Sequence, residues 1–417
     1  MQHHDSQGVP RAELLSLRVL HMIDSLSPEA GGPPECVRLL AKGYKAIGAE
    51  VEVLCLDDPQ AAFLRDIPCR VYALGQSYLG RFAFAPRLWS WLLRNAGRYD
   101  GIVMNGIWNF PGIALSFAAR RAGTPYGIFT HGALDPWFNR RYPLKHAKKL
   151  LYWPLQYAVL HRAAAVFFTS RTERDLAGAS FWPSAWNDVV IPFGIYDPDG
   201  GVDPESQIEA FYSSFPELRE RRYLLFLGRM HEKKGCDLLV DAFAKAAATA
   251  PDVDLVMAGP DQMGMQFTLA SRAAQLGIAH RVRWAGMIGG DLKWGALRAC
   301  DAFVLPSHQE NFGISVVEAL AVGRPVLISN QVNIWPEIEA QQVGLVDQDT
   351  APGTENLLGR WLNMPTAERE AMAARARQCF LQRFEVSRAA VAINTAFVSW
   401  PRNGLTHDRA TAKTPSN

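Results

Sequence analysis

Short apolar runs alternate along this chain with stretches whose apolar residues return every three to four positions, and no other feature restricts the fold as much. Such alternation builds parallel sheets flanked by helices, because a strand rejoins its neighbour on the same heading only through a crossover. Val19–Ile23 reads as the first strand, and a Gly/Pro/Ser loop follows over Ser25–Pro34. Val37, Leu40, Ala41 and Tyr44 then recur at helical spacing until Gly48. Val51–Leu56 is a second strand, and more are expected at Gly101–Met104, Tyr126–Phe129, Ala164–Phe168 and Val189–Ile191. The pattern lapses at Asp197–Ser214, rich in Gly, Pro, Ser and Asp, which is expected to be a linker. A second alternating set starts at Tyr223–Leu227. It runs through a helix carrying Leu239, Ala242, Phe243 and Ala246, then Asp254–Met257, Arg281–Trp284, Ala302–Leu305 and Pro325–Ile328.

At 417 residues the chain exceeds one ordinary core. The expected fold class is α/β, with two Rossmann-like domains whose parallel sheets face each other across a cleft. The expected boundaries are 17–193 for the first domain, 194–220 for the linker and 221–385 for the second domain. A C-terminal helix at 386–403 is expected to return to the first domain, with a flexible tail at 404–417 and a disordered leader before Ser16. A content of 48% hydrophobic and 20% charged residues describes a soluble globular protein, and a net charge of +2 gives no case for nucleic-acid binding. Six scattered cysteines without a C-x-x-C pair suit reduced thiols in a cytoplasmic protein. The opening Met1-Gln-His-His-Asp5 lacks the basic-then-apolar order of a secretory signal.

Ligands of doubly wound sheets sit outside the carboxyl ends of the strands, and there this chain places its polar residues and glycines. Gly31 and Gly32 follow the first strand and would let backbone approach a ligand. They do not form the G-x-G-x-x-G of a dinucleotide oxidoreductase. Thr130-His131-Gly132 follows the strand Tyr126–Phe129. Gly228-Arg229 and Lys233-Lys234-Gly235 pin cations between glycines, a set suited to a diphosphate. Gly259 and Met287 lie beyond two further strands, where they would border a base or simply close turns. After Ala302–Leu305, Glu310 falls in a loop and Glu318 inside an apolar helix, where an unpartnered carboxylate is costly. The amides near Asn311, Phe312, Gly313 and Ile314 open that helix as an anion seat. A phosphate seat beside carboxylates that accept from hydroxyls points to a sugar nucleotide.

Together, Gly31-Gly32, His131-Gly132, Gly228-Arg229 with Lys234-Gly235, and Glu310 with Glu318-Ala-Leu-Ala-Val-Gly-Arg-Pro-Val326 resemble the family 4 glycosyltransferases of the GT-B fold. The resemblance runs from about residue 17 to 400 and implies retaining, metal-independent hexosyl transfer without a cofactor. It implies that Glu318 holds the ribose hydroxyls and Glu310 the donor sugar. Arg229, Lys234 and the Gly313 amides would hold the diphosphate, and His131 would touch the donor sugar. The first domain would bind the acceptor and the second the donor, UDP- or GDP-linked. The region Gly132–Asn139 resembles a polysaccharide-assembly subgroup, so a saccharide or polyprenyl-linked acceptor is expected. The chain departs from the family pattern at Asn311, where glycine is common, and at Phe193, where a Pro-Asn-Gly loop is common. Asp197-Pro-Asp199 imitates a metal-binding D-x-D but lies in the expected linker, so no metal ligand is expected. The alternatives are a silent sugar-nucleotide or carbohydrate-binding module and a nucleotide-sugar epimerase.

Two segments of the first half, Gly80–Arg94 and Arg140–Trp153, interleave aromatic and basic residues. They are expected either as solvated helices or as helices resting on the anionic inner face of a membrane.

Overall fold

A computed structural model describes residues 14–261 and 264–400. Seven parallel strands form the first sheet: β1 (Arg18–Ile23), β2 (Glu50–Cys55), β3 (Arg70–Ala73), β4 (Gly101–Asn105), β5 (Tyr126–Phe129), β6 (Ala165–Phe168) and β7 (Asp188–Val190). Their order is β3-β2-β1-β4-β5-β6-β7. Six more form the second: β8 (Arg222–Leu227), β9 (Val253–Ala258), β10 (Val282–Gly286), β11 (Ala302–Leu305), β12 (Val326–Ser329) and β13 (Gly344–Asp347). They lie in the order β10-β9-β8-β11-β12-β13, again parallel. In each sheet the order reverses beside the first strand, at β1/β4 and at β8/β11. The crossover loops part there and leave room for a ligand. The architecture is GT-B.

The central strands are buried end to end, which is why they read as uninterrupted apolar runs. β3 and β13 were not legible that way. Both are four-residue edge strands in which half-buried positions dilute the apolar signal.

Asp197–Ser214 is not wholly loop. Asp203 accepts from the Glu205 amide, Pro204 starts the turn, and a helix runs over Pro204–Ser214. It packs on the helix Gly290–Ala299 through buried Gln207 and Phe211. Gly295 is required there, since a Cβ would stand 1.9 Å from the Gln207 carbonyl oxygen.

The leader also differs from expectation where it is described. Leu14 is buried, and its carbonyl accepts from Asn394 Nδ2 at 2.6 Å. The expected tail, 404–417, lies outside the described residues. The C-terminal helix Val386–Val398 lies along the helix Gly32–Ile47, where Tyr44 donates to Asn394 at 3.0 Å. Ile195 exchanges backbone hydrogen bonds with Phe384 and Val386, so the chain's two passages between the halves lie side by side. Among the described residues all six cysteines are free thiols, five of them buried.

Candidate active site

The reversal points of the two sheets face a shared cavity of about 540 Å3. Twelve of the residues singled out above line it, Gly32, His131, Arg229, Lys234, Gly259, Met287, Glu310, Asn311, Phe312, Gly313, Ile314 and Glu318, whereas Gly132 and Gly235 do not. Their surroundings are unequal.

On the first half, Gly31 takes φ +96° at the start of its helix, a conformation for which glycine is suited. A Cβ on Gly31 or Gly32 would meet nothing within 4 Å, so both present bare backbone to open space. His131 also has a positive φ, +49°, and is held in it from several sides. Its ring stacks on Phe193 at 5.5 Å and 10°, and Nε2 lies 3.3 Å from Asn105 Oδ1. Burial pushes its pKa down to about 3, leaving a neutral imidazole at physiological pH.

Glu173, not noticed in the sequence, ties this loop down. Its buried carboxylate accepts from the Gly132 amide (2.7 Å), Thr130 Oγ1 (2.8 Å), the Thr169 amide (2.6 Å) and Thr169 Oγ1 (2.7 Å). The available signal was Ser170-Arg-Thr-Glu173, the spacing of a capping box. Ser170 does accept from the Glu173 amide, at 3.0 Å.

Phe193, at the end of the expected first domain, also has partners that the sequence did not reveal. It stacks on Phe129 and His131 and meets Phe312 edge-on at 5.9 Å, joining the two halves behind the cavity.

On the second half, Gly235 has φ +66°, and a Cβ there would stand 2.1 Å from the Pro306 carbonyl oxygen. That close approach presses the basic loop against the loop after β11. Ser307 Oγ (2.7 Å) and the His308 amide (2.8 Å) both donate to the Lys233 carbonyl. Lys234 is thereby delivered to Glu310, with which it forms an ion pair. Burial, then Lys233 and Arg229, push Lys234 down to about 7. The cavity is thus crowded with cations that an anionic ligand would relieve.

Glu318 has a partner that the sequence did not reveal: Lys293 Nζ lies 2.6 Å from its Oε1 and 4.6 Å from the centre of the Trp294 ring. Burial acts to lower the Lys293 pKa, but Glu318 outweighs it and the net shift is upward. Gly313 opens the helix Ile314–Ala321 in left-handed geometry with no side-chain cap, so its leading amides point to the cavity. The Phe312 side chain turns inward, packing edge-on against Phe384 at 6.0 Å and leaving its backbone for the site. Asn311 reaches across to the first half, donating to Thr169 Oγ1 at 3.3 Å. Gly259 borders the cavity, but its glycine is demanded by packing. A Cβ would meet the Gly228 carbonyl oxygen at 1.9 Å. Met287 is 82% exposed at the rim.

Asp197 and Asp199 both accept from Arg377, at 2.8 and 2.9 Å, and Asp199 also pairs with Arg298 at 2.6 Å. The D-x-D is therefore tied up with arginines. Among the described residues no group of three or more His, Cys, Asp or Glu side chains is placed to hold a metal ion.

Comparison with known proteins identifies the fold and the family. The family described as "Glycosyl transferases group 1" matches residues 209–379, and "Glycosyl transferase 4-like domain" matches residues 31–194. A D-inositol 3-phosphate glycosyltransferase from Salinispora tropica is 34% identical over 181 residues, 41% of this chain and 37% of that relative. The chain thus spans little more than a third of that relative's length. A GDP-mannose:cellobiosyl-diphosphopolyprenol alpha-mannosyltransferase from Xanthomonas campestris is 24% identical over 322 residues, 75% of this chain and 79% of the relative. Among solved structures, Anabaena HepE in complex with UDP and glucose superposes with a TM-score of 0.72 at 21% identity, covering 92% of this chain and 100% of that one. With both halves matched in order and the strand-end residues gathered in one interdomain cleft, the chain belongs to the group 1, family 4 glycosyltransferases of the GT-B fold.

Proposed function

We propose that this protein transfers a hexose from a nucleotide diphosphate sugar to a saccharide or lipid-linked acceptor, with retention at the anomeric carbon and without a metal. The observation that carries the reading is the convergence of Arg229, Lys234, Glu310, Glu318 and the amides at Gly313 on one cavity bordered by bare glycine backbone. Glu318 would accept from the ribose hydroxyls. The cations and amides would bind the diphosphate and take up the charge that grows on it as the glycosidic bond breaks. Loss of one such donor typically costs about 3–4 kcal/mol in the transition state. Glu310 and a neutral His131 would hold the sugar's hydroxyls. A double displacement needs carboxylates flanking the anomeric carbon. Glu310 and Glu318 both project from the second half, so departure and attack on the same face suit this site better. The HepE complex with UDP and glucose supports a nucleotide-sugar donor.

The acceptor would reach the first half from a membrane surface. Relatives acting on cellobiosyl-diphosphopolyprenol and on phosphatidyl-myo-inositol support a lipid-linked acceptor. Within the first half, Phe82 meets Tyr152 edge-on at 6.1 Å, which brings the segments Gly80–Arg94 and Arg140–Trp153 together. On and beside these segments Leu79, Leu144 and Leu151 are 72, 83 and 88% exposed, and Arg87, Arg94, Lys145 and Lys148 are exposed as well. Trp153 does not join this face, because it is buried against Phe181 at 4.6 Å. Among the described residues no helix is long and apolar enough to cross a membrane; the contact proposed is peripheral, at the inner face of the membrane.

A thermal-shift panel of UDP, GDP and their sugars tests the reading, since a ligand bound only by the native state raises Tm. At least one nucleotide is expected to raise Tm, and chelator is expected to leave turnover of its sugar intact. No shift with any nucleotide would refute the donor site, and loss of turnover in chelator restored by Mn²⁺ would refute metal independence.

A further inference from the structure

A second cavity, of about 580 Å3, adjoins the donor cleft across Lys233, which lines both. The partition is built from side chains of both halves. Lys233 Nζ lies 3.4 Å from Gln309 Oε1, and Gln309 Nε2 donates to Asp135 Oδ2 at 3.1 Å. Asp135 in turn accepts from the Trp137 amide at 2.8 Å and opens the helix Pro136–Arg141. That helix serves both spaces: Phe138 lines the donor cleft and Trp137 the second cavity.

The chemistry of the second cavity is not that of the first. Among the described residues Trp137 is the one large aromatic side chain in its lining, and its ring neighbours Phe138 and Tyr142 pack against it with ring planes at 89° and 78°. Among the described residues, then, no ring stacks on the indole face. Met265 and Leu269 supply an apolar floor. Around the indole stand Arg141 paired with Glu232 at 3.4 Å, His308 paired with Asp349 at 3.0 Å, and exposed Asp237. Three carboxylates against one arginine and one lysine, with His308 beside them, disfavour a phosphate, and a described lining whose large apolar side chains are Trp137, Met265 and Leu269 among seven polar ones disfavours an acyl chain. A half-buried indole lining a cavity beside acceptors, with a few donors among them, instead matches a pyranose, which has an apolar C–H face and a rim of hydroxyls.

We propose that this cavity is a saccharide subsite, in which a non-reacting sugar ring of a glycan acceptor stacks on Trp137 and donates hydroxyls to Asp237 and Asp349. The proposal rests on the transfer reading above and specifies its acceptor as longer than one sugar. Its place beside Lys233 and Gln309 sets the bound ring next to the reacting one, so the subsite would select acceptors by length.

Saturation-transfer NMR on the whole protein, with UDP saturating the donor cleft, tests it with cellobiose, lactose and chitobiose as probes. At least one disaccharide is expected to receive saturation on its ring protons. Trp137→Ala is expected to weaken that probe about tenfold and Asp237→Asn about threefold, while the UDP affinity of both variants stays at the wild-type value. Absence of any disaccharide signal on the UDP-loaded protein would overturn the subsite and leave the donor site standing. So would an unchanged disaccharide affinity in Trp137→Ala that still binds UDP. Should Trp137→Ala fail to fold, unchanged affinity in Asp237→Asn decides against the proposal. If UDP does not bind, GDP replaces it in the same experiment; failure of both nucleotides to bind would count against the transfer reading instead, and a disaccharide signal lost in Trp137→Ala would then mark a carbohydrate site without transfer.

Discussion

Replacing Gly132 with alanine tests how the two halves meet. Gly132 has φ +71°, and a Cβ there would stand 2.8 Å from Asn311 Cγ and Oδ1 and 3.0 Å from its Cβ. The backbone term is about 1–2 kcal/mol, the cost of left-handed geometry for a residue with a Cβ. The second term arises because Asn311 is not free to swing aside. It donates to Thr169 Oγ1 at 3.3 Å and accepts from Asn333 Nδ2 at 3.5 Å. Giving up those two long contacts costs about 1–2 kcal/mol together, so Gly132→Ala should lose roughly 2–4 kcal/mol in all. Asn311→Gly removes every atom in the way while losing the same contacts. In the double variant the collision is gone and only the backbone strain adds. Urea unfolding of the four proteins therefore should show a coupling of about 1–2 kcal/mol, the double variant being more stable than the sum of the singles predicts. Additivity within about 0.5 kcal/mol would refute the argument, because it would mean that the halves do not touch at this point.

Glu318→Ala should weaken UDP binding tenfold or more, since two hydroxyls lose a charged acceptor, and Lys293→Ala should weaken it less because Glu318 remains; unchanged calorimetric affinity in folded Glu318→Ala removes that residue from the site. Buried His21 and His131 are both pushed down to about 3, by burial first. The native state therefore binds fewer protons than the unfolded chain below about pH 6.5. Their contribution to stability is complete above that pH and should decline as the pH falls towards 3. Part of that slope in Tm against pH should vanish in His131→Asn, and identical slopes would contradict the assignment. Anionic vesicles should sediment the protein at low salt and not at high salt, each cation near the surface contributing about 1 kcal/mol. Charge reversal at Lys145 and Lys148 should reduce this without changing UDP affinity, and indifference of the wild-type protein to anionic vesicles at low salt would end the surface reading.

The amino-acid sequence by itself determined the alternation of strand and helix, hence the two parallel sheets. It also located the residues at the strand ends, because in this fold a residue's place along a strand decides whether it faces the cleft. Glu310, Glu318, Arg229, Lys234 and His131 were legible for that reason. What decides their behaviour came from far along the chain. Glu173 clamps the His131 loop from another helix, and Lys293 neutralises Glu318 from 25 residues away. Arg377 occupies Asp197 from 180 residues away. The linker helix hid because its capping signal, Asp203 before Pro204, sits in a stretch whose composition reads as loop. The edge strands β3 and β13 hid because half-buried strands carry little apolar signal. Periodicity records which face of an element is buried, while partners across the fold are chosen by tertiary packing. The sequence therefore determined which strand-end residues gather at the candidate site, and only the tertiary structure decided which charges are paired within it and how the second cavity opens beside Trp137.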